Sequence, residues 1–149
     1  MEKMIKKAAY SLAAMCLAVT LFTACGKKGC TDAYATNYCD ECKKDDGSCS
    51  FKGRYVIWIK TGDISAGESV NVYMDGVYQG NIAVTFSSSP ECGATGALTI
   101  EKDLGKSKSK GYTTIYKPLV NGVEDTDSNN WLVRTSNFKA NTCVNYQLE

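Results

Sequence analysis

The sequence predicts an all-β protein: a small antiparallel β-sandwich of about seven strands, preceded by a disulfide-rich, loop-dominated module and a cleaved signal peptide. Three observations predict it. From Gly53 onward, apolar residues recur with the period of two that marks strands, not the helical period. Turn-forming Gly, Asp, Asn and Ser clusters separate these stretches, as they do in sandwiches. The cysteines left after export are even in number, which in an oxidising compartment reads as a disulfide framework.

Taken in chain order, the N-terminus "MEKMIKK" supplies a basic start in Lys3, Lys6 and Lys7. The apolar run from Ala8 to Thr23 is sixteen residues long. A bilayer span needs roughly twenty, so this run is the h-region of a signal peptide. Its ending, "LFTAC", is similar to a lipobox, in which small residues precede the cysteine that receives a diacylglycerol. The usual Leu three positions before the cysteine is here Phe22. The resemblance implies a leader over residues 1–24, lipidation at Cys25, and a lipid-anchored tether over 25–29. Two or three acyl chains make membrane attachment stable where one does not. Typical lipoproteins kept at the inner membrane carry Asp after the lipidated cysteine; Gly26 stands here, which implies the outer membrane.

Next comes "GCTDAYATNYCDECKKDDGSCSF", residues 29–51, with Cys30, Cys39, Cys42 and Cys49. A zinc site has the right ligand count, but only one CxxC knuckle is present. A redox CxxC is opposed by Asp40 and Glu41 between its cysteines, because negative charge raises a thiol pKa. Calcium would use Asp45 and Asp46 in a D-x-D-x-D-G-like loop, but Cys42 and Lys44 occupy the preceding ligand positions. The competing reading of Asp45-Asp46-Gly47 is an Asx turn closed by glycine. Two local bridges therefore staple a segment too short to bury a core. The segment resembles the short C-T-D-x-x-A-x-N-Y … D-D-G-S-C module of exported and surface proteins of Gram-negative bacteria. Cys30, Thr31, Asp32, Ala35, Asn37, Tyr38 and residues 45–49 carry the match. The module implies pairing of Cys30 with Cys49, while the extra Cys39 and Cys42 leave the crossed pairing open. Closing the outer loop stabilises by about 3 kcal/mol in the chain-entropy model.

The sandwich is expected over 53–149, separate from the module over 30–51 and able to fold without it. "RYVIWIK" sets Tyr55, Ile57 and Ile59 against Val56 and Trp58; "SVNVYMD" sets Val70, Val72 and Met74 against Asn71 and Tyr73. Asp75-Gly76 then gives the strongest short hairpin signal, leading into "VYQGNIAV". "ATGALTIE", "GYTTIYK", "WLVRTS" and "CVNYQLE" are the remaining strands, with turns expected over 105–111 and 122–130. Parity pairs Cys92 with Cys143, worth about 4 kcal/mol in the same model. The stretch Val70–Gly80, the "SSSPECGATG" loop and the late cysteine resemble PEGA-type and other surface-associated sandwiches. Trp58, Tyr73, Tyr78 and Trp131 are candidate residues of one sugar-stacking face, although aromatic residues also serve as β-formers and core fillers.

Composition narrows the function. The chain has no histidine, which removes Ser-His-Asp and Cys-His catalysis and the common His-containing catalytic zinc sites. Most carboxylates, Glu124 among them, fall in expected turns rather than apolar pockets, and no Gly-rich phosphate loop is present. With 17 Lys and Arg against 16 Asp and Glu, the chain lacks the basic excess that nucleic acid requires. The expectation is a non-enzymatic outer-membrane lipoprotein without a cofactor. Its partners would be the membrane, through the lipid, and a glycan or envelope protein. The alternative is a carbohydrate-binding accessory at the cell surface. If the leader is read correctly, intact mass will give a mature N-terminus at Cys25 carrying acyl chains. Cys25→Ser should then leave the chain unprocessed or release it from membranes.

Overall fold

The longest apolar run outside the leader lies in β1 (Phe51–Lys60), the strand on which both sheets depend. The structure, a computed structural model, describes residues 26–149; the leader and Cys25 lie outside the described residues. After β1 come β2 (Glu68–Met74), β3 (Val77–Ile82), β4 (Thr85–Phe86), β5 (Leu98–Gly105) and β6 (Ser109–Val120). They are followed by β7 (Val123–Glu124), β8 (Leu132–Lys139) and β9 (Cys143–Leu148). The seven stretches that alternate in the sequence all form strands. Two short strands, β4 and β7, were not expected.

The strands form two sheets. In the first, β1 is central: β9 pairs along one edge, and β5 followed by β4 along the other. In the second, the order is β3-β2-β6, with β8 and β7 sharing the far edge of β6. Pairing is antiparallel except for β4 and β9, which run parallel to β1. The β2–β3 hairpin closes through Asp75 (φ 48°) and Gly76 (φ 79°), the two positive φ values that a type I′ turn requires. Asn121 (φ 52°) and Gly122 (φ 79°) repeat that geometry between β6 and β7. The stretch expected as a turn over 122–130 therefore begins with a strand.

The core lies between the sheets. Tyr55, Ile57 and Ile59 of β1 meet Val70, Val72, Met74, Tyr116 and Phe138 from the second sheet. Aromatic rings stitch the layers: Tyr55 lies 5.1 Å from Phe138, and Tyr116 stacks 5.9 Å from Tyr146. Thr114 and Ser136, the buried polar pair, satisfy one another at 2.7 Å. Val56 and Trp58 point the other way, yet are 0% and 5% exposed. Their cover is the 87–97 loop. Asn145 accepts from Trp58 Nε1 (2.6 Å) and donates to the Pro90 carbonyl (2.8 Å). The Cys92–Cys143 bridge, with Cα atoms 6.0 Å apart, pins the same loop to β9. A strand covered on both faces reads as a continuous apolar run, which is why "YVIWI" does.

The module is held by Cys30–Cys49 and Cys39–Cys42, so the pairing is outer with outer and inner with inner. Asn37 clasps the loop, donating to the Ser48 carbonyl (2.7 Å) and accepting from Ser50 N–H (2.9 Å). Residues of the expected tether pair with the module: Lys43 N–H donates to the Lys27 carbonyl and Gly29 N–H to the Lys44 carbonyl. The module is not separate from the sandwich. Cys30 and Ala35 belong to the same core cluster as Phe51, Leu104 and Ala140. Lys108 ion-pairs with Asp32 and lies over the rings of Tyr34 and Phe51. The expected boundary between 51 and 53 falls inside β1.

A chain beginning at Gly53 should therefore fail to fold as a stable unit. It loses Phe51, which is 3% exposed, and truncating a buried Phe costs about 3–5 kcal/mol in a domain whose whole stability is about 5–15 kcal/mol. Thermal unfolding followed by circular dichroism, against the chain beginning at Gly26, measures the loss.

Candidate functional site

The two sheets differ on their outer faces. The first is covered by the 87–97 loop over Val56 and Trp58 and leaves the charged side chains of Lys52, Arg54, Glu101 and Asp103 exposed, whereas the second carries a continuous row of side chains set by strand register. Tyr78 of β3 faces Tyr73 of β2, Tyr73 faces Ile115 of β6, and Ile115 faces Val133 of β8. Four strands at about 4.8 Å spacing make this row about 14 Å long. Alternation along the strands places it opposite Val72, Met74, Thr114 and Tyr116, which face the core. Its ends are the most open, with Tyr78 53% and Val133 50% exposed. Tyr73 and Tyr78 meet edge to face, 5.5 Å apart.

A polar row runs beside it. Asn81 faces Asn71, which faces Lys117. Asn81 donates to Asn71 Oδ1 (3.0 Å) and to Ser69 Oγ (3.1 Å). Glu124 of β7 closes the network. It accepts from Asn71 Nδ2 (2.7 Å) and Tyr73 Oη (2.8 Å), and pairs with Lys117 Nζ at 3.1 Å. Lys117 is held between two rings, 4.5 Å from the centre of Tyr73 and 4.1 Å from that of Trp131. Trp131 is fixed by its Nε1–H donating to the Asp125 carbonyl (2.8 Å). The bond from Asn71, then that from Tyr73 and the Lys117 contact, holds the Glu124 carboxyl below its ordinary pKa. The same carboxylate pushes the Tyr73 phenol up, chiefly by accepting a hydrogen bond from its O–H.

Of the four aromatic candidates, Tyr73, Tyr78 and Trp131 gather on this face and Trp58 does not. Trp58 is buried on the other sheet beneath the loop, where its indole N–H serves Asn145. Lys117, Glu124, Asn71 and Asn81 were missed. By its sequence Glu124 falls in an expected turn, whereas Asn121-Gly122 two positions earlier is the hairpin signal that places it on a strand.

The module carries a different arrangement. Asp45 Oδ1 accepts from Gly47 N–H (3.0 Å) and Asp46 Oδ1 from Ser48 N–H (2.9 Å), which are Asx turns. Ser48 holds the Asp46 carboxyl below its ordinary pKa. Among the described residues, no three Cys, Asp or Glu side chains converge as metal ligands. Both aspartates act as loop clasps.

The Glu124 network makes a pH-dependent contribution to stability. A carboxylate whose folded pKa is depressed stabilises above its unfolded pKa, and that contribution disappears as pH falls through the folded value. Glu124→Gln should lower the thermal midpoint at neutral pH. The gap to the unaltered chain should close as pH drops below about 4.3, the ordinary Glu value.

Compared with models of known families, with curated proteins and with solved structures, the chain matches none.

Proposed function

We propose that the chain is a non-enzymatic binding module of the cell envelope, anchored through lipid on Cys25 and presenting the outer face of the second sheet to its ligand. The observation that supports this is the asymmetry of the sandwich. One outer face has its apolar residues Val56 and Trp58 covered by a disulfide-stapled loop and is otherwise charged, while the other lays an apolar row beside a hydrogen-bonded polar row. Exposed apolar surface rimmed by polar groups marks interaction sites.

A glycan is the ligand class this face suits best, because a sugar ring offers a flat C–H face to stack and hydroxyls to bond. Tyr73, Tyr78 and Trp131 supply rings and phenol groups, and Asn71, Asn81 and Glu124 supply acceptors and donors. These polar groups are already tied to one another, so little side-chain freedom is left to lose on binding.

Affinity electrophoresis of the purified protein through gels containing envelope and plant polysaccharides is the direct test. Retardation by at least one glycan is expected, with affinity reduced about thirtyfold or more by Tyr78→Ala, since hot-spot aromatics cost roughly 2 kcal/mol or more when truncated. No retardation by any glycan would remove the carbohydrate reading. If cross-linking on intact cells also captured no envelope protein through this face, the binding-module reading would fall with it.

A further inference from the structure

A second site lies away from that face, at the end of the sandwich where β1 and β9 finish. The sheets part there around a cleft of about 270 Å³. Its floor is the core itself: Ile59, Val70, Tyr116 and Leu148 line it and belong to the buried cluster. Ile64, from the turn joining β1 to β2, and Leu132, at the start of β8, form its sides and pack on the same cluster. The cleft is thus an extension of the hydrophobic core that no side chain of the described residues fills.

Its charge has one sign. Asp63, Glu68 and Glu149 line it, and among the described residues neither Lys nor Arg does. Glu68 uses one oxygen to accept from Ser65 N–H at 2.6 Å, which fixes the turn that carries Ile64 and Asp63. Asp63 takes part in none of the ion pairs of the described residues. A carboxylate beside low-dielectric walls attracts a cation more strongly than one in open water, and repels an anion likewise. Ligand pockets are typically about 300–1,000 Å³, so this cleft suits a small occupant.

We infer that this cleft binds a small organic ammonium ion. Its single ring or short alkyl chain enters between Ile59, Val70 and Leu132, and its cationic head remains at the mouth beside Asp63. Burial of the apolar body supplies the attraction common to any such molecule. The carboxylates select the cation over neutral and anionic molecules of the same shape.

Calorimetry on the purified full chain with three probes of one shape tests this: phenethylammonium, phenethyl alcohol and 3-phenylpropionate. The ammonium should bind saturably, the alcohol about tenfold more weakly, and the carboxylate not measurably, given the strength of hydrogen bonds to charged groups. Asp63→Asn should weaken the ammonium about tenfold and leave the alcohol unchanged. Ile64→Trp, which places an indole in the cleft, should abolish both while the thermal midpoint holds. If that variant does not fold, Asp63→Asn decides. Absence of ammonium binding, equal affinity for ammonium and carboxylate, indifference to Asp63→Asn, or saturation persisting in a folded Ile64→Trp chain would each overturn the inference.

Discussion

Burial of β1 on both faces is the constraint from which the rest of the architecture follows. Ile57, at the middle of the strand, is 0% exposed, and so is its neighbour Val56 on the opposite face. Each such side chain contributes about 1.5–3 kcal/mol when fully removed from water, but only if something covers it. The second sheet covers Tyr55, Ile57 and Ile59. The 87–97 loop covers Val56 and Trp58, and the cysteine module covers Phe51. Three segments far apart in sequence are thus recruited to one strand, and each needs its own fastening. The loop has Cys92–Cys143 and the Asn145 bridge. The module has Cys30–Cys49 and the Lys108–Asp32 ion pair.

That demand explains why the outer faces differ. With the loop committed to β1, the outer face of the second sheet has no cover among the described residues and keeps its side chains ordered by contact with one another. Glu124 is the centre of that order, because it gathers Asn71, Tyr73 and Lys117 from two strands. A buried or partly buried charge needs such partners. The result is a surface that is polar enough to stay in water and whose side chains hold one another in a fixed arrangement.

Much of the fold was legible because period-two alternation and turn chemistry are local. Val70, Val72 and Met74 alternate visibly with Asn71 and Tyr73, and Asp75-Gly76 announces its own turn. What was not legible depends on register between distant strands. Nothing in the spacing of Tyr78, Tyr73, Ile115 and Val133 indicates that they form one row; only the pairing of β3, β2, β6 and β8 aligns them. Trp58 was misplaced for the same reason, since its face is decided by a loop some thirty residues later. Cysteine parity paired Cys92 with Cys143 correctly, yet it could not choose among the four clustered cysteines. The module looked self-contained because its own hydrogen bonds are local, whereas its packing on Phe51, Leu104 and Ala140 is not.

The parallel pairing of β1 with β9 has a mechanical consequence. The two strands point the same way, so β1 enters at the pole that carries the module and β9 leaves at the pole that carries the cleft. Tension between the Phe51 end of β1 and the Leu148 end of β9 slides the strands lengthwise past one another. All the hydrogen bonds from Arg54↔Cys143 to Ile59↔Leu148 then share the load, instead of opening one at a time from an end. A molecule tethered at its module pole and pulled at the far one would resist as a lap joint resists, with its strongest direction along the axis from tether to cleft.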